Sequence, residues 1–398
     1  MSDWIVAEEA RTRLGVRAQT LYAYVSRGRV QVRPDPSDSR RSLYRAADLA
    51  ELSQRKARGR KVAEVAASAI SWGEPVLASS ITTVEGGRLF YRGRDAITLS
   101  QTDTLEATAR LLRGGNGVAL KRTSRPPVPA GSDMRARAFA ALAIRAGVDP
   151  PARGRNPLAL AVEAATLMDV LTDAVAGGVS EGPIHLRLAL AWGQAVRSRR
   201  GNAPGVWGQG GPGADLIRRA LVLLADHELN ASTFAARVAA STGASLAASC
   251  LAGLAALSGP SHGGAPEAVR ELAAEAARIG PAIAIRSRLL QDQPIPGFGH
   301  QLYPGGDPRA ADLLARVQLS PDYAALRHAA ETITGQGANV DFALVAISEA
   351  LALPVDAPFA IFAVARGAGW IAHAMEQGQT GGLIRPRARY VGPEPRFD

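Results

Sequence analysis

Three residues in the last third of the chain have the types and settings that carbon-acid chemistry requires. His262 stands in Gly259-Pro260-Ser261-His262-Gly263-Gly264, His300 closes Gly297-Phe298-Gly299-His300 ahead of Asp307-Pro308-Arg309, and Asp341 lies in Asn339-Val340-Asp341. Two imidazoles and one carboxylate, each beside glycine, proline or other turn-forming residues, suit the deprotonation of a weak carbon acid and its joining to a ketone. That chemistry needs a positioned base and donors for the oxygen that gains charge. Glycine beside a histidine removes bulk and is expected to leave backbone N–H groups free for a ligand. His227, in Asp226-His227-Glu228, is a fourth candidate, whereas His185, His328 and His373 read as ordinary surface or core residues. There is no H-E-x-x-H pair and Cys250 is the single cysteine, so no metal is expected.

Helices must position these groups, because the pattern after Tyr91 is helical almost to the end. Two loops are expected, at 122–131 with three prolines and at 197–213 with six glycines and two prolines. The uncharged stretch from Val238 to Gly264 is too poor in leucine and isoleucine to enter a bilayer and reads as one tightly packed buried helix. Upstream, Ser79 to Val84, Glu85-Gly86-Gly87 and Arg88 to Tyr91 read as a hairpin, since β-branched residues flank a Gly-Gly turn.

With 398 residues, 47% hydrophobic and 21% charged, the chain can bury a large core and form two or three domains. One cysteine excludes an internal disulfide, and no signal peptide is visible at the start, which together point to the cytoplasm. The net charge of +10 is uneven: residues 1–60 carry 12 Arg and 1 Lys against 7 acidic residues, or +6, and the remaining 338 residues share +4. Within that basic segment Val6, Ala7, Ala10 and Leu14 fall at helical spacing, Gly15-Val16 makes a turn, and Ala18, Leu21, Tyr22 and Val25 form a second stripe ending at Gly28. Val30, Val32, a turn at Pro34-Asp35-Pro36 and then Arg40 to Tyr44 suggest a two-stranded wing. Residues 4–50 thus resemble the winged helix of MerR-like and excisionase-like proteins. The resemblance implies DNA contacts from Arg17, Gln19, Thr20 and Arg27 near the second helix, with Arg40 and Arg41 on phosphates. The alternative is a basic appendage that docks on the rest of the chain or aids solubility. Residues 45–70 read as a connecting helix broken near Gly59.

Asp226-His227-Glu228, the His262 and His300 motifs, Asp307-Pro308-Arg309, Asn339-Val340-Asp341, Ala365-Arg366-Gly367 and Arg385-Pro386-Arg387 follow in the order and approximate spacing found in citrate synthases. With Thr82 to Gly86 and Tyr91-Arg92-Gly93 matching the family's opening hairpin, the chain resembles that family over about residues 70–392. The resemblance implies a mainly α fold, a citrate synthase unit at 61–398 behind a small winged helix-turn-helix module at 1–60. It further implies a large domain of residues 61–263 and 351–398 and a smaller one of residues 264–350. It makes Asp341 the base, His262 the donor to a thioester oxygen and His300 the group that polarises the ketone of oxaloacetate. Arg309, Arg366 and, from a partner subunit, Arg385 would hold the two carboxylates, with His227 and Asn230 as hydrogen-bonding neighbours. Coenzyme A would meet Pro296, Gly297 and Phe298, largely through main chain. The implied reaction is condensation of acetyl-CoA with oxaloacetate by a homodimer without a cofactor and without a membrane. Propionyl-CoA, giving 2-methylcitrate, is the nearest competing substrate, and a DNA-binding regulator that senses metabolites is the reading from another class. Gln301 follows His300 where many bacterial members carry arginine, and the stretch from Gly115 to Gly213 is shorter than is typical.

Overall fold

The computed structural model describes residues 4–14, 16, 18–26, 29–50, 77–115, 125–129, 133–200, 211–388 and 390–395. The chain divides into two units, Met1–Ala78 and Ser79–Asp398. Residues 46–50 are helical, while the expected boundary at residue 60 and the break near Gly59 lie outside the described residues.

In the first unit β1 (Trp4–Val6), α1 (Ala7–Leu14), α2 (Ala18–Ser26), β2 (Val32–Asp35) and β3 (Asp38–Arg45) follow in order. The sheet is antiparallel in the order β1-β3-β2, with Ile5 and Val32 both opposite Tyr44. Val6, expected to begin the first helix, instead ends a strand. Trp-Ile-Val favours extended backbone, and β3 offers it an edge. The second turn also shifts: β2 runs through Pro34 to Asp35, whose Oδ1 accepts from Ser37 N–H at 3.0 Å. Pro34 is tolerated there because β2 is an edge strand. Ile5, Ala10, Leu14, Leu21, Val30, Tyr44 and Leu49 form the small core. Thr20 is exposed, and exposed Arg41 pairs with Asp38 at 3.3 Å. Arg17 and Arg27, and the side chains of Gln19 and Arg40, lie outside what the structure describes.

The second unit opens with β4 (Thr82–Glu85), β5 (Arg88–Tyr91) and β6 (Arg94–Asp95) in one antiparallel sheet. Gly86 and Gly87, at φ +57° and +72°, make the two-residue turn that only left-handed backbone allows. The third strand was not expected from the sequence, because the turn before it, Arg92-Gly93, places a non-glycine residue at φ +45°.

Fourteen helices of this unit are described: α3 (Ala96–Thr102), α4 (Leu105–Leu112), α5 (Met134–Val148), α6 (Pro157–Ala176), α7 (Ile184–Arg200), α8 (Pro212–Leu223), α9 (Ala231–Ser241), α10 (Leu246–Leu257), α11 (Ala265–Ile279), α12 (Pro281–Leu290), α13 (Pro308–Leu314), α14 (Pro321–Thr334), α15 (Val340–Ala350) and α16 (Ala357–Thr380). Helix α16 is the central element, buried without interruption from Ala357 to Ala374 and packed on α6, α8, α9 and α10. Close approach needs small residues. A Cβ on Gly253 of α10 would lie 2.7 Å from the Trp370 indole of α16. Helices α11 to α15 pack chiefly on one another and meet the rest through α13 on α8 and α15 on α16.

Two expectations need correction here. Val238 to Gly264 is not one helix: Gly243 at φ +89° ends α9, Ser245 caps α10 by accepting from Ala248 N–H at 3.1 Å, and residues 258–264 form turns. The loop placed at 197–213 begins later, since α7 continues to Arg200; residues 201–210 lie outside the described residues. No helix among the described residues is long and apolar enough to cross a membrane.

Candidate active site

His227 sits in the short segment between α8 and α9, and that segment is held from three sides. Tyr91 of β5 places its hydroxyl 3.0 Å from both the Val222 and Leu223 carbonyls, Val84 N–H donates to Glu228 Oε1 at 2.7 Å, and Gly369 N–H of α16 donates to the Ala225 carbonyl at 3.0 Å. A Cβ on Gly369 would sit 2.6 Å from that carbonyl, so only glycine lets α16 come this close. Glu228 adopts φ +50°, a strained position for a non-glycine residue and one that tends to cluster at functional sites. Asn230 caps α9: its Oδ1 accepts from Ser232 and Thr233 N–H, both at 3.1 Å, and its Nδ2 donates to the His227 carbonyl at 3.1 Å. Among the described residues the second Nδ2 proton meets no acceptor.

His262 lies in the turn between α10 and α11. The expected free N–H groups beside it are not free. Gly263 N–H donates to the Leu257 carbonyl at 2.8 Å and Gly264 N–H to the Gly259 carbonyl at 3.1 Å. Glycine is required for packing instead, since Cβ atoms at 263 and 264 would lie 2.6 Å from Leu257 O and 2.9 Å from Pro260 Cα. His262 Nε2 is 2.9 Å from the Ser232 hydroxyl, which is also 2.7 Å from Asn230 Oδ1 and accepts from Trp370 Nε1 at 3.2 Å. One hydroxyl proton faces two acceptors, so its direction decides which nitrogen of His262 is protonated.

The His300 loop is zipped onto the start of α15. Gly299 N–H donates to Gly337 O at 2.9 Å, Asn339 N–H to Gly297 O at 2.8 Å and Asn339 Nδ2 to Gly299 O at 3.0 Å. Gly297 and Gly299 need their left-handed φ of +85° and +74°, and Phe298 is buried against Phe342 with centroids 5.1 Å apart. Phe298 therefore offers a ligand main chain only, and Pro296 is half-buried. Leu302 N–H donates to His300 Nδ1 at 3.2 Å, so the neutral ring carries its proton on Nε2. Asp341 follows the α15 cap, its N–H donating to Asn339 Oδ1 at 3.0 Å.

The two arginines differ. Arg309 is clamped by Asp307 through two bonds of 2.9 and 2.8 Å, and Asp307 also accepts from Val340 N–H at 3.1 Å. Arg366, 1% exposed on α16, donates from Nε to the Leu224 carbonyl at 3.0 Å and has no carboxylate within ion-pair distance among the described residues. Burial pushes its guanidinium down to about 10, still charged at neutral pH.

These groups share one electrostatic neighbourhood. Burial, then the Arg309 and Arg366 charges, holds His227 well below the ordinary histidine value. Burial followed by Arg366 lowers His262 to about 4, and burial followed by Arg309 lowers His300 to about 4. Burial raises Asp341 to about 6 against the opposing pull of Arg309 and Arg366. Neutral imidazoles, a carboxyl poised near neutrality and a buried cation with no carboxylate within ion-pair distance among the described residues make this cluster the candidate for binding an anion and moving a proton. Of the residues expected at the site, Arg385 alone is exposed, in the segment after α16, with no hydrogen bond or ion pair to the others. Ser232, Trp370, Tyr303 and Asp307 were not singled out from the sequence; only Asp307, within the Asp-Pro-Arg motif, had a local signal. Among the described residues no cluster of His, Cys, Asp or Glu could hold a metal ion.

Comparison with known proteins identifies the family. The profile of the citrate synthase C-terminal domain matches residues 209–387. A provisionally named citrate synthase 2 of Mycobacterium bovis is 35% identical over 341 residues, covering 78% of this chain and 89% of that protein. The 2-methylcitrate synthase 2 of Corynebacterium glutamicum is 36% identical over 191 residues, covering 45% of this chain and 50% of that protein. Among solved structures, the citrate synthase of Thermotoga maritima MSB8 matches with a TM-score of 0.62 at 26% identity, over 82% of this chain and 96% of that one.

Proposed function

Because the chain belongs to the citrate synthase family, we propose that it condenses acetyl-CoA with oxaloacetate to give citrate and CoA. The observation that carries this reading is Arg366, a buried cation with no carboxylate within ion-pair distance among the described residues and only the more distant Asp226 charge to offset it, facing neutral histidines and an aspartic acid raised to about 6. Such a cation costs free energy to bury and is compensated when a ligand carboxylate arrives.

In the proposed reaction Asp341 takes a proton from the thioester methyl group. His262 donates to the thioester oxygen, which requires the Ser232 hydroxyl to point at Nε2 so that Nδ1 carries the proton. The enol carbon then attacks the ketone carbon, and His300 Nε2–H stabilises the alkoxide as the new C–C bond forms. Water cleaves the citryl thioester, and the CoA thiol leaves. Arg309 and Arg366 hold the oxaloacetate carboxylates with His227, and Arg385 completes the site across a two-fold homodimer. Main chain at Pro296 to Phe298 borders CoA. Helices α11 to α15, close to residues 264–350, form the smaller domain.

Propionyl-CoA is the second reading, favoured by the likeness to a 2-methylcitrate synthase. One methylene changes selection by only about 1–3 kcal/mol. Thiol release from acetyl-CoA and propionyl-CoA, with and without oxaloacetate, tests both. Oxaloacetate-dependent release with the higher kcat/KM for acetyl-CoA is expected; the reverse ratio makes it a 2-methylcitrate synthase, and no release from either removes the enzymatic reading in favour of a sensor.

The first unit, with two short helices followed by the β2–β3 hairpin and a local charge of +6, is proposed as a winged helix-turn-helix module that binds DNA. Selection from random duplexes by the full-length protein should enrich one sequence, with affinity falling steeply as salt rises. No enrichment, and binding unaffected by Thr20→Ala or Arg41→Ala, leaves a docking or solubility element.

A further inference from the structure

A single phenol joins three of the groups assigned to oxaloacetate. Tyr303 follows His300 in a tight turn, closed by Tyr303 N–H donating to the His300 carbonyl at 3.0 Å and Gly306 N–H to the Tyr303 carbonyl at 2.9 Å. The turn folds the phenol back against the His300 imidazole, with ring centroids 4.8 Å apart. The Arg309 guanidinium lies 5.1 Å from the same ring centre. From there the hydroxyl reaches His227 Nε2, 76 residues away in sequence, at 2.8 Å.

Tyr303 is 2% exposed, and burial pushes its hydroxyl up to about 12, so it remains protonated and must place that proton on an acceptor. His227 Nε2 is the acceptor that the described residues supply. His227 is itself neutral, because burial and two nearby guanidinium groups disfavour a second charge. A neutral imidazole has one N–H; with Nε2 accepting, the proton sits on Nδ1. We infer that Tyr303 is a positioning residue which locks His227 in the Nδ1–H tautomer, so that this ring meets bound oxaloacetate as a hydrogen-bond donor. The inference rests on the reading of the site as an oxaloacetate site. Without the phenol hydroxyl either nitrogen could carry the proton, and part of the population would present a lone pair to an anion.

Tyr303→Phe keeps the ring contacts and removes only the hydroxyl. In the full-length protein, oxaloacetate affinity by calorimetry and its KM should weaken about 3- to 10-fold, the size of one hydrogen bond, while the KM for acyl-CoA stays unchanged; the melting temperature should fall only slightly, since buried His227 loses one donor. His227→Gln supplies an amide donor that has no tautomer to choose, so adding Tyr303→Phe to it should cost nothing more. Unchanged oxaloacetate binding in Tyr303→Phe, or an equal penalty in the His227→Gln background, overturns the inference. A folded wild-type protein that fails to bind oxaloacetate overturns the site reading itself and the inference with it.

Discussion

The segment Leu224–Asn230 with α16 and the loops that carry His262 and His300 build one site by different means. The first region is held by side chains and long-range polar bonds: Arg366 on the Leu224 carbonyl, and Asp226 Oδ2 at 3.1 Å from His373 Nε2, whose Nδ1 is in turn 3.1 Å from Arg237 Nη1. An arginine only donates, so His373 accepts at Nδ1 and donates its Nε2–H to the Asp226 carboxylate. The second region is held by glycine and main chain, with Gly263, Gly264, Gly297 and Gly299 packed where no Cβ fits. The difference teaches that charge is preset on one side and geometry on the other. Substitutions in the first should alter ligand affinity; in the second, loss of a glycine or of the base beside it should alter turnover, while Tyr303, whose hydroxyl reaches back to His227, belongs with the first.

The largest test of that division is Asp341→Asn. Turnover should fall by at least about 10²-fold, the usual cost of losing a general base, while oxaloacetate affinity stays near wild type. The wild-type pH profile sharpens the same point. Asp341 is raised to about 6, so kcat/KM should fall as pH drops through about 6 and protonates the base. His262 and His300, lowered to about 4, remain neutral and should add no limb between about pH 5 and 8. A profile flat over that range would contradict the assignment.

Arg366→Met acts on the other region. Its oxaloacetate KM should rise about 10- to 100-fold, as for a lost charged hydrogen bond, whereas the melting temperature should change little, because removal of a buried cation offsets the lost bond to the Leu224 carbonyl. A large drop in melting temperature would mean that Arg366 supports the fold instead.

A smaller effect should separate two glycines. Gly369→Ala and Gly297→Ala should each cost about 1–3 kcal/mol of stability by overpacking. The first should raise oxaloacetate KM by displacing the Ala225 carbonyl, and the second should lower kcat by displacing the His300 loop. Equal effects on both constants in both variants would erase the contrast, as read by steady-state kinetics beside thermal melts.

Most of the groups that the fold brings together were legible in the sequence as candidates, because His262, His300, Arg309 and Asp341 each sit in a motif whose local turn and cap residues lie within a few positions. The hairpin was legible for the same reason, through Gly86-Gly87. Groups joined over long separations were not. Asp226 and His373 lie 147 residues apart, Ser232 and Trp370 138 apart, and nothing local in either marks the other. His373 was read as a satisfied surface or core residue and is a core one, 1% exposed with both ring nitrogens bonded; only its partners, Arg237 and Asp226, were invisible in the sequence. The glycines at 263 and 264 were noticed for the wrong reason, since their N–H groups close the turn and their small size serves packing.

Residue type and local spacing by themselves brought forward the candidate groups, two histidines, an aspartate and arginines, each with its turn; their roles come from the family resemblance. The sequence also placed the basic charge in residues 1–60. Only the tertiary structure decided the state in which those groups operate. Burial lowers three histidines and raises Asp341, Asp307 neutralises Arg309 while Arg366 has no carboxylate within ion-pair distance among the described residues, and Leu302 N–H selects the His300 tautomer. Protonation and charge depend on desolvation and on neighbours brought from distant positions, and those exist only once the chain has packed.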